Sequence, residues 1–163
     1  MSTRIDCQRL PSRFSAADER RIGALYENAE AESVIFLGAK NDGLGTLSVK
    51  AHFKIDDSSI YFADYNSVRF SLRWAIAAMN YCYEHKLLCC VVHNHAVGSS
   101  PSLSDIRTFT ILTEQARNLG LGNPTFAIYD MQRGESRIID QWAWDTKNYP
   151  SGEEVSLHGS RGR

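Results

Sequence analysis

The chain has 163 residues, of which 43% are hydrophobic and 23% charged, and its formal net charge at pH 7 is −1. These values are typical of one globular domain with a sizeable core. The near-neutral charge and the lack of a long Lys/Arg run argue against general binding to nucleic acid or to anionic membranes.

The sequence predicts a cytoplasmic protein. The first twenty residues contain no apolar segment of signal-peptide length, and the apolar run at residues 87–92 is too short to span a bilayer. The cysteines Cys7, Cys82, Cys89 and Cys90 form no Cys-x-x-Cys pair. We therefore expect buried or half-buried thiols, and neither disulfides nor a cysteine-based zinc site.

One domain is expected over residues 15–148, between an N-terminal arm at 1–14 and a flexible tail at 149–163. The tail consists largely of Gly, Ser and charged residues, a composition that disfavours a packed core. A helix capped by Ser15 or Asp18 opens the domain, because apolar side chains follow at the 3, 4, 7 spacing of one helical face.

The rest of the chain predicts strands and two further helices. Three strands are expected at 33–37, 46–53 and 59–65, then a helix at 66–85, a strand at 87–92, a helix at 105–119 and strands at 124–129 and 136–144. The first strand is expected to end at Gly38, and Asn66 or Ser67 to cap the second helix. Six apolar residues in succession at 87–92 indicate a central strand covered on both faces. The predicted fold class is therefore α/β (α+β), a central mixed sheet flanked by helices.

The most informative stretch begins where this central strand ends. There His93-Asn94-His95 is followed by a Gly/Ser/Pro loop and by Ser102-x-x-Asp105. Alternate residues of a strand point to the same face, so both imidazoles can aim at one point, to which the loop can return Asp105. Two imidazoles and a carboxylate with an open fourth position are the ligands of a catalytic zinc site. Separately, each histidine could be a core residue, and Ser102 with Asp105 also matches a helix capping box.

These residues resemble the zinc motif of the JAMM metalloproteases, the JAB/MPN domain family. The resemblance rests on His93-Asn94-His95, Gly98 and residues 101–106, and it is closest to the bacterial branches, including RadC-like proteins. With the order of elements, it covers roughly residues 17–144.

Two features of the loop depart from the family pattern. Six residues separate His95 from Ser102, one fewer than is usual in the family. Ala96 stands where the family has a proline. Neither change removes a metal ligand.

The resemblance implies a JAB/MPN-like fold with one zinc ion per chain. The implied metal ligands are His93, His95 and Asp105. Ser102 is implied to stabilise the oxyanion that forms on the attacked carbonyl.

The family also places a glutamate, the general base, just before the first buried strand. Glu32 fits this position better than Glu30, because Val34 begins the apolar run two residues later. Glu30 is expected at the fraying end of the first helix. Either glutamate could also be a solvated charge in a turn.

The activity implied by the resemblance is zinc-dependent peptide or isopeptide hydrolysis. The expected cleavage is after the C-terminus of a ubiquitin-like modifier, either to release it from a lysine side chain or to mature a precursor. The expected partners are E1-like and E2-like proteins of one conjugation system, for example in antiviral defence, with no nucleic acid and no membrane.

Two alternatives to this activity remain open. The chain could be a RadC-like zinc hydrolase of unknown substrate, or an inactive MPN-like scaffold that binds a partner. A nucleobase deaminase is excluded because it requires a His-x-Glu and a Cys-x-x-Cys, and the chain contains neither.

Overall fold

Strand-rich segments alternate with helices along the chain. The computed structural model describes residues 11–53, 60–63, 67–139 and 154–158. At 60–63, 67–69 and 154–158 it describes the backbone alone. The helices are α1 (Ala16–Tyr26), α2 (Leu72–Glu84) and α3 (Leu103–Asn118). The strands are β1 (Arg13–Phe14), β2 (Val34–Asn41), β3 (Thr46–Phe53), β4 (Ile60–Ala63), β5 (Ser67–Ser71), β6 (Leu88–His95), β7 (Thr125–Asp130), β8 (Glu135–Ile139) and β9 (Glu154–His158).

A six-stranded mixed sheet in the order β1-β3-β2-β6-β7-β8 organises the fold. Its central strand, β6, is antiparallel to β2 and parallel to β7. On one face, Cys89 and Val91 pack with α2 and α3; on the other, Cys90 and Val92 pack with α1. Burial on both faces explains why β6 is a continuous apolar run. The prediction of a mixed α/β domain with helices on its central sheet is confirmed.

Several element boundaries agree with the sequence. Ser15, rather than Asp18, caps α1. β3 spans the predicted residues. Cys82, Cys89 and Cys90 are buried free thiols, as expected; Cys7 lies outside the described residues.

The prediction that the first strand ends at Gly38 is wrong, because β2 continues to Asn41. A Cβ at position 38 would lie 2.9 Å from Leu87 Cδ1 and 3.2 Å from Ala51 Cβ. The glycine therefore allows close packing of neighbouring segments, at a bulge that shifts the β2–β3 register after it.

The second helix does not begin at Asn66 or Ser67. Residues 67–71 form β5, which pairs with β4 and β9 in a separate three-stranded sheet, and α2 begins at Leu72 after the N-cap Ser71. Val68, Phe70 and Leu72 recur every second residue, which is the period of a strand.

Short strands also form within the predicted arm and tail. At the end of the arm, Arg13–Phe14 pairs in parallel with β3. Within the predicted flexible tail, Glu154–His158 pairs with β5 instead; Val155 and Leu157 alternate there with polar residues, as in a strand. Residues 1–10, 140–153 and 159–163 lie outside the described parts, including the end of the predicted strand at 136–144. No helix in the described ranges is long and apolar enough to cross a membrane.

Candidate metal centre

β6 presents two histidines on one face of the sheet. His93 and His95 are fully buried, at 0% exposure, and their ring centroids lie 5.0 Å apart with the planes nearly perpendicular. Because residues two apart on a strand share a face, both rings point towards the side on which α3 packs. The histidines therefore meet the N-terminus of α3.

The N-terminus of α3 supplies the carboxylate of Asp105. The Ser102 hydroxyl accepts a hydrogen bond from the Asp105 N–H at 3.1 Å, and the Ser102 N–H donates to Asp105 Oδ2 at 2.9 Å. The predicted capping box is therefore present. It fixes the carboxylate with Oδ2 3.0 Å from His95 Nε2 and Oδ1 3.7 Å from His93 Nε2.

These three side chains could hold a metal ion. His93, His95 and Asp105 are all buried, and each offers a ligand atom within 4.8 Å of the other two. Two imidazoles and one carboxylate suit zinc and other divalent transition metals. The loop that is one residue shorter than in the JAMM family thus still returns Asp105 to the histidines.

The hydrogen bonding of His93 leaves the nitrogen that faces Asp105 available as a ligand. His93 Nδ1 lies 3.0 Å from the Ser33 carbonyl oxygen. A carbonyl only accepts, so Nδ1 carries the proton, and the neutral ring keeps a lone pair on Nε2. A metal-ligating histidine is commonly oriented by such a bond from its other nitrogen.

Glu32 completes the cluster from the segment before β2. Its side chain is 3% exposed, and Oε2 lies 3.1 Å from His93 Nε2. Val34 pairs with His93 in the sheet, so Glu32, two residues earlier, lies on the same face as that histidine. Glu30 is exposed. Of the two candidate glutamates, the structure brings Glu32 to the histidines.

Buried polar atoms without hydrogen bonds concentrate at this cluster. Five buried side-chain N or O atoms in the described part of the chain lack a hydrogen-bond partner, and three of them are Glu32 Oε2, His93 Nε2 and His95 Nδ1. Each such atom costs about 1–3 kcal/mol in an apolar interior. The donor set therefore fits a bound cation.

Charges within the cluster perturb its proton affinities. Burial lowers the pKa of His93, but the Glu32 carboxylate and the negative charge of Asp105 outweigh it and raise that pKa above its usual value. Burial raises the pKa of Asp105, but the hydrogen bond from His95, the nearby His93 and the Ser102 N–H lower it overall. In the metal-free protein, His93 thus tends to hold a proton that an incoming metal must displace.

A cavity of about 300 Å³ opens beside Glu32. Its lining residues are Ala29, Glu30, Ala31, Glu32, Asn94, Ala96, Val97, Met131 and Gln132. Glu32 is the member of the cluster that lines it. Asn94 also lines it and, alternating with His93 and His95 along β6, points to the opposite face of the sheet from the two histidines.

The sequence did not reveal two contacts that shape the site. The Ser33 carbonyl orients His93, and the Asn94 side chain binds the backbone on both sides of Glu32. Backbone partners leave no residue-type signal in a sequence. The sequence does predict that Asn94 points away from the two histidines, because the side chains of a strand alternate. It does not show which segment the Asn94 side chain contacts.

No protein-family model matches the chain, and no curated protein shows significant similarity to it.

Proposed function

We propose that this protein is a zinc-dependent peptidase or isopeptidase of the JAMM type, with a JAB/MPN-like fold. One observation carries the proposal: three separate segments bring two histidines and two carboxylates together in a buried cluster. Within it, Glu32 Oε2 lies 3.1 Å from His93 Nε2, and Asp105 Oδ2 lies 3.0 Å from His95 Nε2. A metal site with an adjacent carboxylate that is not needed as a ligand is the arrangement of a metallohydrolase.

The zinc ion would be held by His93, His95 and Asp105. When bound, zinc supplies a Lewis acid that makes water acidic enough to act as a nucleophile near neutral pH. The chain supplies the remaining proton transfer and charge stabilisation.

Glu32 acts as the general base in this proposal. Its Oε2 accepts the proton of the attacking water and later delivers it to the leaving amine. Two features support the role: Oε2 is buried without a hydrogen-bond partner, and it lies 3.1 Å from the Nε2 of the ligand His93.

Ser102 stabilises the negative charge that develops on the attacked carbonyl oxygen, by donating its hydroxyl proton. Its lone pair is engaged by the Asp105 N–H at 3.1 Å, which orients the hydroxyl. The same residue therefore fixes a metal ligand through its backbone and acts on substrate through its side chain.

The proposed substrate is a ubiquitin-like modifier, either joined to a lysine side chain or carrying a C-terminal extension. Partners would be the E1-like and E2-like proteins that form the conjugate.

Metal analysis and a cleavage assay on two glutamate variants test this function. Purified wild-type protein should contain about one zinc per chain and cleave a modifier–lysine conjugate. Glu32→Gln should keep the zinc and lose cleavage, whereas Glu30→Gln, in an exposed side chain two residues away, should keep kcat.

Three results would contradict the proposal in different ways. Full activity of the Glu32 variant would remove the assigned base. Bound zinc without cleavage of any ubiquitin-like conjugate would favour the RadC-like hydrolase. A wild-type protein that binds no metal would favour the scaffold.

A further inference from the structure

We propose that Asn94 is a positioning residue, whose side-chain amide holds Glu32 in place for proton transfer. The inference rests on the proposed function, because it assigns to Asn94 the task of orienting the base. It concerns the middle residue of His93-Asn94-His95, for which the mechanism above has no role.

Asn94 binds the backbone on both sides of Glu32. Its Oδ1 accepts a hydrogen bond from the Ser33 N–H at 2.7 Å, and its Nδ2 donates to the Ala31 carbonyl at 3.3 Å. Nδ2 also lies 3.3 Å from Met131 Sδ. The amide is 1% exposed, so these bonds form away from competing water.

The segment that carries Glu32 has no regular structure of its own to hold it. Helix α1 ends at Tyr26 and β2 begins at Val34, so neither a helical nor a sheet ladder fixes the peptides on either side of Glu32. The amide of Asn94 provides one acceptor and two donors on a short, planar group. It thus replaces the backbone partners that these peptides lack.

This arrangement ties the base to the metal ligands through one strand. Asn94 lies between His93 and His95 on β6, and the adjacent His93 donates to the Ser33 carbonyl. Both polar groups of Ser33's backbone are therefore bound by neighbouring side chains of the strand that carries the ligands. Because a misplacement of about 1 Å in a reacting group can reduce turnover about 100-fold, a fixed distance between base and ligands matters for catalysis.

The test compares Asn94→Leu with Val92→Ala in zinc-loaded protein. Leu has the same number of side-chain heavy atoms, branched at the same carbon, but forms neither hydrogen bond. Val92 is a control on the same face of β6: it is also fully buried, and its partner in the sheet is Ile35, outside the 31–33 segment. The readouts are zinc content, kcat and KM, amide hydrogen exchange at Ser33, and a crystal structure of each variant.

We expect Asn94→Leu to keep its zinc and to lose about 100-fold in kcat, with KM changed less than about threefold. The Ser33 amide should exchange faster, and Glu32 Oε2 should move away from His93 Nε2. Val92→Ala should show none of these effects at a comparable loss of thermal stability. Asn94→Asp, which keeps the acceptor for Ser33 and loses the donor for Ala31, should fall between Asn94→Leu and wild type in kcat.

The proposal is overturned if Asn94→Leu, or Asn94→Asp should the first fail to fold, matches Val92→Ala in kcat and in Ser33 exchange. Unmoved Glu32 in the crystal structure would overturn it equally. Failure of the proposed function is distinguishable, since wild-type protein would then cleave nothing, while exchange and the position of Glu32 still report whether Asn94 holds the segment.

Discussion

Replacing Asp105 with Asn separates the metal-binding role of this residue from its role as a helix cap. An amide side chain of the same shape can still accept the Ser102 N–H, which donates to Asp105 Oδ2 at 2.9 Å. It loses the negative charge that faces His95 at 3.0 Å and His93 at 3.7 Å. Hydrogen bonds to a charged partner contribute about 1.5–3 kcal/mol, so the apo protein should lose about that amount. Zinc should be lost altogether.

The chain offers a matched control in its first helix. On α1, Ser15 caps the helix by accepting the Asp18 N–H, as Ser102 accepts that of Asp105. Asp18 is 5% exposed, and its Oδ2 accepts the Val49 N–H at 2.8 Å. Asp18→Asn removes a buried, hydrogen-bonded carboxylate far along the chain from the histidines. We expect a similar loss in the free energy of unfolding but a full complement of zinc.

Elemental analysis and urea denaturation of the two variants measure these effects. The reasoning is refuted if Asp105→Asn retains one zinc per chain with unchanged affinity. It is also refuted if Asp18→Asn loses zinc to the same extent, because general destabilisation would then explain both results.

Four further predictions follow from the site and its surroundings. Removal of zinc by a chelator should lower Tm. Free zinc about 1,000-fold above Kd stabilises the folded protein by about 4.1 kcal/mol, and a chain of this size shifts about 2–4 °C per kcal/mol, so the expected decrease is roughly 8–16 °C. A shift near zero in calorimetry would contradict this prediction. Zinc affinity should rise with pH until the pH exceeds the raised pKa of His93, because protons compete for the ligand nitrogen. If titration calorimetry shows a zinc affinity that stays constant from about pH 5.5 to about pH 8, His93 is not a ligand. Ser102→Ala should lower kcat about 10²–10³-fold and the free energy of unfolding by about 1 kcal/mol. It should keep its zinc, because the backbone N–H of residue 102 still binds Asp105. Loss of zinc would show that the hydroxyl acts mainly through the helix cap. Gly38→Val should lower the free energy of unfolding, measured by urea denaturation, by about 1–3 kcal/mol, because its Cβ would lie 2.9 Å from Leu87 Cδ1. An unchanged denaturation midpoint would show that the neighbouring segments adjust.

The elements that position the site were predictable because their signals are local. A six-residue apolar run predicted the central strand, period-two alternation placed both histidines on one face, and Ser102 with Asp105 predicted the start of a helix. Each of these rests on spacing within one segment. The structure bears out their geometry.

Features that depend on contacts between segments were not predictable in the same way. At residues 67–71, apolar residues fit both a strand and the start of a helix, and pairing with β9, from the far end of the chain, decides for the strand. Gly38 was predicted to end the first strand, but it lies inside β2, where its lack of a side chain leaves room for Leu87. The sequence favoured Glu32 over Glu30, but its distance of 3.1 Å from His93 depends on the register of β2 against β6, which no single segment contains.

Crystallography of the purified protein with anomalous diffraction at the zinc absorption edge tests the central claim most directly. We predict one strong anomalous peak per chain, bonded to His93, His95 and Asp105 at the distances of about 2.0–2.2 Å that zinc makes to nitrogen and carboxylate oxygen. Glu32 should lie next to this peak without ligating it. A peak bound by other residues, or histidine and aspartate side chains that remain in mutual contact with no metal at saturating zinc, would contradict the claim.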